Sequence, residues 1–229
     1  MISVIIPALN EQHVLAPLLA SLRDSGCVEI IVVDGGSSDF TCDIAVTMAD
    51  KVLVSEAGRA VQMNAGARMA THDILLFLHA DSKLPAGWPE LILKVMDSEE
   101  AAGGAFDLSL GSPRTIHRVI SRVASFRSRA LRTPYGDQGI FVRKRAFEML
   151  QGFRELPIME DLDFARRLRK VGKLRFINER ITTSPRKWDR HGLLRTTAAH
   201  WLVTAGYYFG IPPRDLAGYY KAIIGKPRL

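Results

Sequence analysis

Apolar residues recur in short blocks along the first hundred positions. SVIIP (3–7), EIIVVD (29–34), KVLVS (51–55) and DILLFL (73–78) are five or six residues long, rich in branched side chains, and apolar with little alternation. Continuous apolarity over that length marks strands covered on both faces. The intervening stretches carry apolar residues at helical spacing: from Asn10 through Leu22, Thr41 to Ala49, Arg59 to Ala70 and Pro89 to Met96. Asn10 is placed to cap the first of these helices. Strands and helices in alternation predict a mostly parallel sheet with right-handed crossovers and helices on both faces. After Gly103 the pattern loosens into a strand-like AGGAFDLSL, a long basic helix from Pro113 to Arg132, a strand GIFVRK and later helices. That reads as a mixed extension of the same sheet. No repeat, low-complexity tract or linker interrupts it.

In a sheet of this kind ligands lie beyond the carboxyl ends of the strands. The first strand ends in Pro7-Ala8-Leu9-Asn10-Glu11, the second in Asp34-Gly35-Gly36-Ser37, and the third leads to Glu56-Ala57-Gly58-Arg59. The fourth runs straight into His79-Ala80-Asp81. Any one of these is an ordinary turn. Four polar loops on one sheet edge point to a ligand site.

Composition adds compartment and charge. Hydrophobic residues make up 47% of the 229 and charged residues 24%, as in a globular protein. The two cysteines, Cys27 and Cys42, are too far apart for a CxxC pair, which argues against a zinc ribbon and suits a reducing compartment. The start MISVIIPALNE lacks the basic region and long apolar run of a signal peptide, and no stretch reaches the ~18–20 apolar residues of a membrane span. The expectation is a cytoplasmic protein. The net charge of +7 is uneven: Arg114 to Arg132 holds six arginines and no acid. Nucleic acid, anionic lipid or a phosphorylated small molecule would each suit such a half, as would a solvated surface.

Motifs narrow the ligand. No GxGxxG follows the first strand, and GxxxxGK[ST], GxSxG and HExxH are all absent. Present instead, in this order, are IIPALNE, VVDGGSSD, GRAVQMNAG, LFLHADS and MEDLDF. These five segments, spread over about residues 1–175, resemble the family 2 glycosyltransferases, inverting enzymes of the GT-A fold, and among them the short bacterial members without membrane helices. The resemblance implies an α/β GT-A fold in one domain over residues 1–229. Residues 1–105 would form a nucleotide-sugar-binding half, 106–180 an acceptor and catalytic half, and 181–229 a helical C-terminal extension.

The same resemblance implies roles. Pro7, Ala8, Glu11 and Asp34 fall where the family holds the nucleotide, and Arg59 where it has a cation. Asp81 falls on the second aspartate of the family's Asp-x-Asp, which carries a divalent cation, Mn²⁺ or Mg²⁺. Glu160-Asp161 match the family's Glu-Asp pair, with Asp161 on the catalytic base. Asp137 and Gln138 lie in the region beside donor sugar and acceptor, and Arg186-Lys187-Trp188 resembles a basic-aromatic segment found there. Three positions depart from the family: His79 replaces the first aspartate, Leu9 a common aromatic, and Gly35 a second carboxylate after strand two. Residues two apart in extended chain face one side, so His79 and Asp81 can converge on a cation; imidazole suits Mn²⁺ better than Mg²⁺.

The chemistry stands on residue types as well. A departing nucleoside diphosphate gathers negative charge, which a cation with Arg59 or Lys83 can offset. An attacking hydroxyl needs a base. Glu160 and Asp161 are adjacent on a helical pattern, about 100° apart, so one can face the site while the other anchors the loop. Three acids in a first helical turn also suit the helix dipole by themselves. The acceptor is less legible. The basic helix carries Ile116, Val119, Ile120 and Val123 along one side, and four of the five tyrosines (207, 208, 219 and 220) cluster with Trp201 and Phe209. Both patterns suit a lipid-linked acceptor or contact with the inner face of a membrane, and equally a second small core. Two other classes stay open. A nucleotidyltransferase needs a glycine-rich cationic loop, which PALNEQ is not. A nucleic-acid binder needs an edge free of the acidic loops found here.

Overall fold

The computed structural model describes residues 1–26, 28–184 and 191–225, leaving aside the side chains of 193 and 194. Cys27 and the Arg186-Lys187-Trp188 segment lie outside the described residues. The elements run β1 (Ile2–Ala8), α1 (Gln12–Arg23), β2 (Val28–Asp34), α2 (Thr41–Met48), β3 (Lys51–Val54), α3 (Arg59–Met69), β4 (Ile74–Phe77), β5 (Ser82–Lys83) and α4 (Trp88–Met96). There follow β6 (Ala101–Ser109), α5 (Thr115–Leu131), a 3₁₀ turn (Gly136–Gln138), β7 (Ile140–Arg143), α6 (Lys144–Met149), α7 (Glu160–Leu168) and β8 (Lys173–Thr183). The chain then forms α8 (Leu193–Tyr208) and α9 (Pro213–Ile224).

Among the described residues the strands form one eight-stranded sheet in the order β3-β2-β1-β4-β7-β6-β8-β5. The first four are parallel, β7 runs antiparallel between β4 and β6, and β8 lies parallel to β6. The predicted mostly parallel sheet with a mixed extension is the observed one. The apolar blocks became strands because each is covered twice. Val4 and Ile6 face a core shared with α1, α2, α4 and Phe106, while Ile5, Ile31 and Val33 face a second core with α3, α6 and α7. Helix α3 lies against β1 at Gly66, where a Cβ would come 2.5 Å from Ile5 Cγ2.

Asn10 does not cap α1. Glu11 occupies that position with no side-chain cap bond, and Asn10, at φ 55°, accepts the Ser38 N–H instead, at 2.9 Å. The Asn10 N–H donates to Ser37 Oγ and the Glu11 N–H to Thr41 Oγ1, so the loops after β1 and β2 are laced to each other. A cap is a local choice; here a neighbouring loop outcompeted it.

Glu29 is the polar exception inside β2. Its carboxylate takes Lys51 Nζ at 2.7 Å, the Ser3 hydroxyl and the Thr71 N–H, joining β1, β2, β3 and the end of α3. Burial alone would raise its pKa, but Lys51 and the hydrogen bonds reverse this and hold it at about 2. A folded pKa below the unfolded one gives stability that is present above the unfolded value and lost as pH falls toward 2. Glu29→Gln is therefore expected to cost about 2–3 kcal/mol at pH 7 and to flatten the acid limb between about pH 5 and pH 2. Urea titrations at pH 7 and pH 3 check this; equal losses at both would show that the charge contributes nothing.

Candidate active site

The order of strands decides what meets at the sheet's carboxyl edge. Because β7 is antiparallel to β4, with Phe77 opposite Ile140, the turn that precedes β7 sits beside the loop that follows β4. Gly136 is the meeting point. A Cβ there would lie 3.0 Å from His79 Nε2 and 3.3 Å from Asp161 Oδ2. The Gly136 N–H donates to Asp161 Oδ2 at 2.7 Å, and the Leu162 N–H donates to Asp161 Oδ1 at 2.7 Å. The free N–H groups of a helix start suit a carboxylate there.

Asp161 points outward because its neighbours are held inward. Leu162, Phe164, Ala165 and Leu168 of α7 are buried. Phe164 stacks on Phe153 with centroids 4.4 Å apart, and Phe153 meets Phe77 of β4 at 4.9 Å. Asp163 receives Arg167 Nε at 2.7 Å and the Tyr207 hydroxyl at 3.2 Å, which ties α8 to α7.

Glu160 and Asp161 divide as their spacing allows. Glu160 is 3% exposed and its Oε1 receives Arg59 Nη2 at 2.7 Å. Burial raises its carboxyl above the ordinary value; Arg59 pulls it down, Asp161 pushes it up, and the net is upward. Arg59, the first residue of α3, is thereby aimed into the pocket. Partial loss of water around its guanidinium opposes the charge, and the surrounding carboxylates Glu160, Asp161 and Asp137 more than restore it, so its pKa is raised.

The resulting pocket holds about 350 Å³ and is lined by Arg59, His79, Asp81, Asp137 and Asp161 of the predicted residues. The Thr183 hydroxyl stands 3.5 Å from Asp81 Oδ1. Pro7, Ala8, Glu11 and Asp34 sit at the adjoining ends of β1 and β2 and do not line this pocket. Asp34 is turned into its own loop, accepting the Ser37 N–H at 2.9 Å and the Ser37 hydroxyl. Gln138 lies beneath the pocket with both ends of its amide engaged. It accepts from Ser128 Oγ and the Tyr135 N–H and donates to the Phe106 carbonyl at 3.1 Å. Its position is that of a brace for the 3₁₀ turn.

Sequence reasoning missed the C-terminal wall. His200 and Thr204 of α8 and Ala217, Tyr220 and Lys221 of α9 close the pocket, with Tyr135. His200 Nε2 and the Tyr220 hydroxyl are 3.1 Å apart. Burial pushes the Tyr220 phenol up to about 12, against the pull of Arg59, so it keeps its proton at neutral pH. A partial signal was available: Thr197, His200 and Thr204 form a polar i, i+3, i+7 stripe on a helix whose other residues after Thr196 carry no charge. Gln62 was missed as well. Its Nε2 donates to the Ala8 carbonyl at 2.9 Å and the Val33 carbonyl at 2.8 Å, fixing the ends of β1 and β2.

Among the described residues no three His, Cys, Asp or Glu side chains are grouped to hold a metal ion. His79 and Asp81 line one pocket together, and a pair of protein ligands fits a cation whose remaining ligands are phosphate oxygens and water.

An α/β sheet that gathers carboxylates, an arginine and a histidine beyond its strand ends defines a protein built to hold a charged ligand there. A family profile described as "Glycosyl transferase family 2" matches residues 3–153, and the chain belongs to that family. Over 93 residues it is 40% identical to a "PGL/p-HBAD biosynthesis glycosyltransferase" of Mycobacterium bovis, covering 37% of this chain and 36% of that protein. It is 41% identical over 92 residues to the 4,4'-diaponeurosporenoate glycosyltransferase of Staphylococcus haemolyticus, covering 36% of this chain and 24% of that one. The chain thus spans about a third of the mycobacterial relative and a quarter of the staphylococcal one. The mannosyltransferase PcManGT from Pyrobaculum calidifontis, solved with GDP-Man and Mn²⁺, superposes with TM-score 0.63 at 19% identity, over 96% of this chain and 68% of that one. Glucosyl-3-phosphoglycerate synthase from Mycobacterium tuberculosis, solved with Mn²⁺, UDP and glucosyl-3-phosphoglycerate, gives 0.61 at 19% identity over 99% and 81%. The fold is GT-A.

Proposed function

We propose that the protein is an inverting glycosyltransferase that moves a sugar from a UDP- or GDP-sugar to an acceptor hydroxyl, with Asp161 as base. The observation that carries the reading is the Asp161 carboxylate, fixed by two backbone N–H groups and facing a pocket that also holds Arg59, His79 and Asp81. The acceptor oxygen attacks the anomeric carbon and gives its proton to Asp161. The bond from that carbon to the diphosphate breaks on the opposite face, and the nucleoside diphosphate leaves. Arg59 faces the charge that develops on it, and Glu160 holds Arg59 in that position. His79 and Asp81 are the residues that would hold a divalent cation, which when bound offsets charge on the diphosphate.

Residues 1–105 carry the donor on this reading, with Pro7, Ala8, Glu11 and Asp34 toward the nucleoside. Residues 106–180 supply the base and Asp137, and the described residues of 181–229 cover the site. Two neighbours are titled as complexes with GDP-Man or UDP and Mn²⁺, which supports a nucleotide-sugar donor and a cation. Exposed apolar residues on α5 and α8, among them Phe126 and Trp201, support a lipid-linked acceptor met at the cytoplasmic face of a membrane. No described helix is long and apolar enough to cross one.

Thermal shift tests the donor half. UDP or GDP at a hundred times its Kd, with Mn²⁺, is expected to stabilise the protein by about 2.7 kcal/mol, or about 5–10 °C. Asp81→Ala should abolish that shift and melt near the wild type without ligand. An equal shift in EDTA, or none with either nucleotide, would count against the assignment.

A further inference from the structure

An apolar groove of about 220 Å³ runs between α5 and α8. Its walls are Leu108 of β6, Val119, Ile120, Val123 and Ala124 of α5, and Trp201 of α8. Val119, Val123 and Trp201 are exposed at 46%, 44% and 52%, which leaves the groove open along its length. At its inner end the groove joins the pocket of Asp161: Tyr135, Asp137, His200 and Thr204 line both. An apolar channel that ends among proton-handling groups differs from a plain sticky face. It has a direction, and its inner end is chemical.

Arg127 and Thr197 place buried donors in its wall, with the Asp137 carboxylate at its inner end. The Arg127 guanidinium lies over the Tyr135 ring, its Cζ 3.6 Å from the centroid, and its Nη2 donates to Ser128 Oγ at 3.1 Å. Its Nη1, and the Thr197 hydroxyl in the same wall, are buried without a hydrogen-bond partner among the described residues. Buried donors are nearly always satisfied, and a cationic one costs most when it is not. The stacking on Tyr135 holds Arg127 in place in the groove wall. The charge along α5 has one sign: Arg118, Arg122 and Arg127 stand on a helix that carries no acid.

We propose that this groove binds the hydrocarbon chain of an amphiphilic acceptor, whose anionic or hydrogen-bond-accepting linkage takes the spare N–H of Arg127 and whose hydroxyl is thereby delivered to Asp161. The proposal rests on the transferase reading of the Asp161 pocket, and gives the acceptor's chain and linkage their binding site. A single chain suits the groove better than a protein partner does, since its volume of about 220 Å³ is small and its apolar walls lead to a polar end shared with the Asp161 pocket.

Alkyl phosphates test it, with Trp201 emission and calorimetry as readouts and concentrations kept below micelle formation. Dodecyl phosphate is expected to bind at least about tenfold more tightly than butyl phosphate, because each added methylene is removed from water. Val123→Asp should erase that chain-length preference. Arg127→Gln should weaken dodecyl phosphate by about tenfold or more, the worth of a charge-assisted hydrogen bond. Melting temperature and UDP binding with Mn²⁺, measured on each variant, report that the fold and the donor side are intact. Equal affinity for the two alkyl phosphates, or undiminished binding in Val123→Asp, overturns the groove. So does association with phosphatidylglycerol vesicles when no saturable binding of dodecyl phosphate accompanies it, which would assign the face to a membrane surface. Alkyl phosphate binding that fails while UDP binds removes the groove alone; UDP that fails to bind wild type removes the transferase reading beneath it.

Discussion

Asp161→Asn is expected to lower kcat by about 10²–10⁴-fold, the usual worth of a positioned base, while changing donor affinity little. The amide keeps the size and polarity of the carboxylate but cannot take the acceptor's proton. It also presents an NH₂ group to one of the two backbone donors, Gly136 N–H or Leu162 N–H, that the carboxylate now accepts. That mismatch costs about 1–3 kcal/mol of stability, so melting must be followed alongside turnover. Glu160→Gln is the informative partner. Glu160 does not face the pocket; it holds Arg59, so its loss should appear mainly as weaker donor binding. Turnover is read as release of nucleoside diphosphate. Near-normal kcat in folded Asp161→Asn would return these acids to the status of helix-start residues.

Gly104→Ala should leave no stable fold. A Cβ at Gly104 would lie 1.8 Å from the Arg175 carbonyl oxygen and 2.5 Å from Phe141 Cζ. The oxygen belongs to the backbone of β8, which pairs with β6 at this position, so it cannot retreat without opening the sheet. Swinging Phe141 away would disturb the core it shares with Phe106. A clash against backbone places this substitution in the exceptional class, above about 4 kcal/mol. Gly218→Ala is the control: it lies in α9 with nothing within 4 Å of the added methyl, and should be neutral or up to about 1 kcal/mol stabilising. Urea unfolding of both decides it. A Gly104→Ala protein that melts within a degree or two of wild type would show that the β6–β8 pairing is looser than described.

Four strands and four helices of the first hundred residues were legible to within a residue or two at each end; the two-residue β5, Ser82–Lys83, was not, since it is a strand only through its pairing with β8. Buried parallel strands must be apolar on both faces, and the loops at their ends carry the polar residues. His79, Asp81 and Asp161 could be picked out because the resemblance ties a role to each short segment. The places where sequence reasoning fell short are equally specific. Asn10 reads as a cap, and Ser38 took its side chain. Tyr207 and Tyr220 suit a membrane interface or a small second core equally by sequence; in the structure one donates to Asp163 and the other lines the pocket beside His200. A tyrosine on an amphipathic helix carries no mark of which surface will cover it.

By itself the sequence determined an α/β chain, the order of its first four strands and helices, and the chemical character of the sheet's carboxyl edge. Periodicity and loop composition are local, and they suffice for that. Only the tertiary structure decided that β7 runs antiparallel beside β4, which sets Gly136 between His79 and Asp161. It alone turned Glu160 onto Arg59, buried Gln138 under the turn, and laid α8 and α9 across the pocket with an apolar groove leading into it. Those outcomes depend mainly on pairings between segments far apart in the chain, up to about 160 residues for Arg59 and Lys221. Such contacts leave no periodic trace, because what selects them is the fit of one finished surface against another.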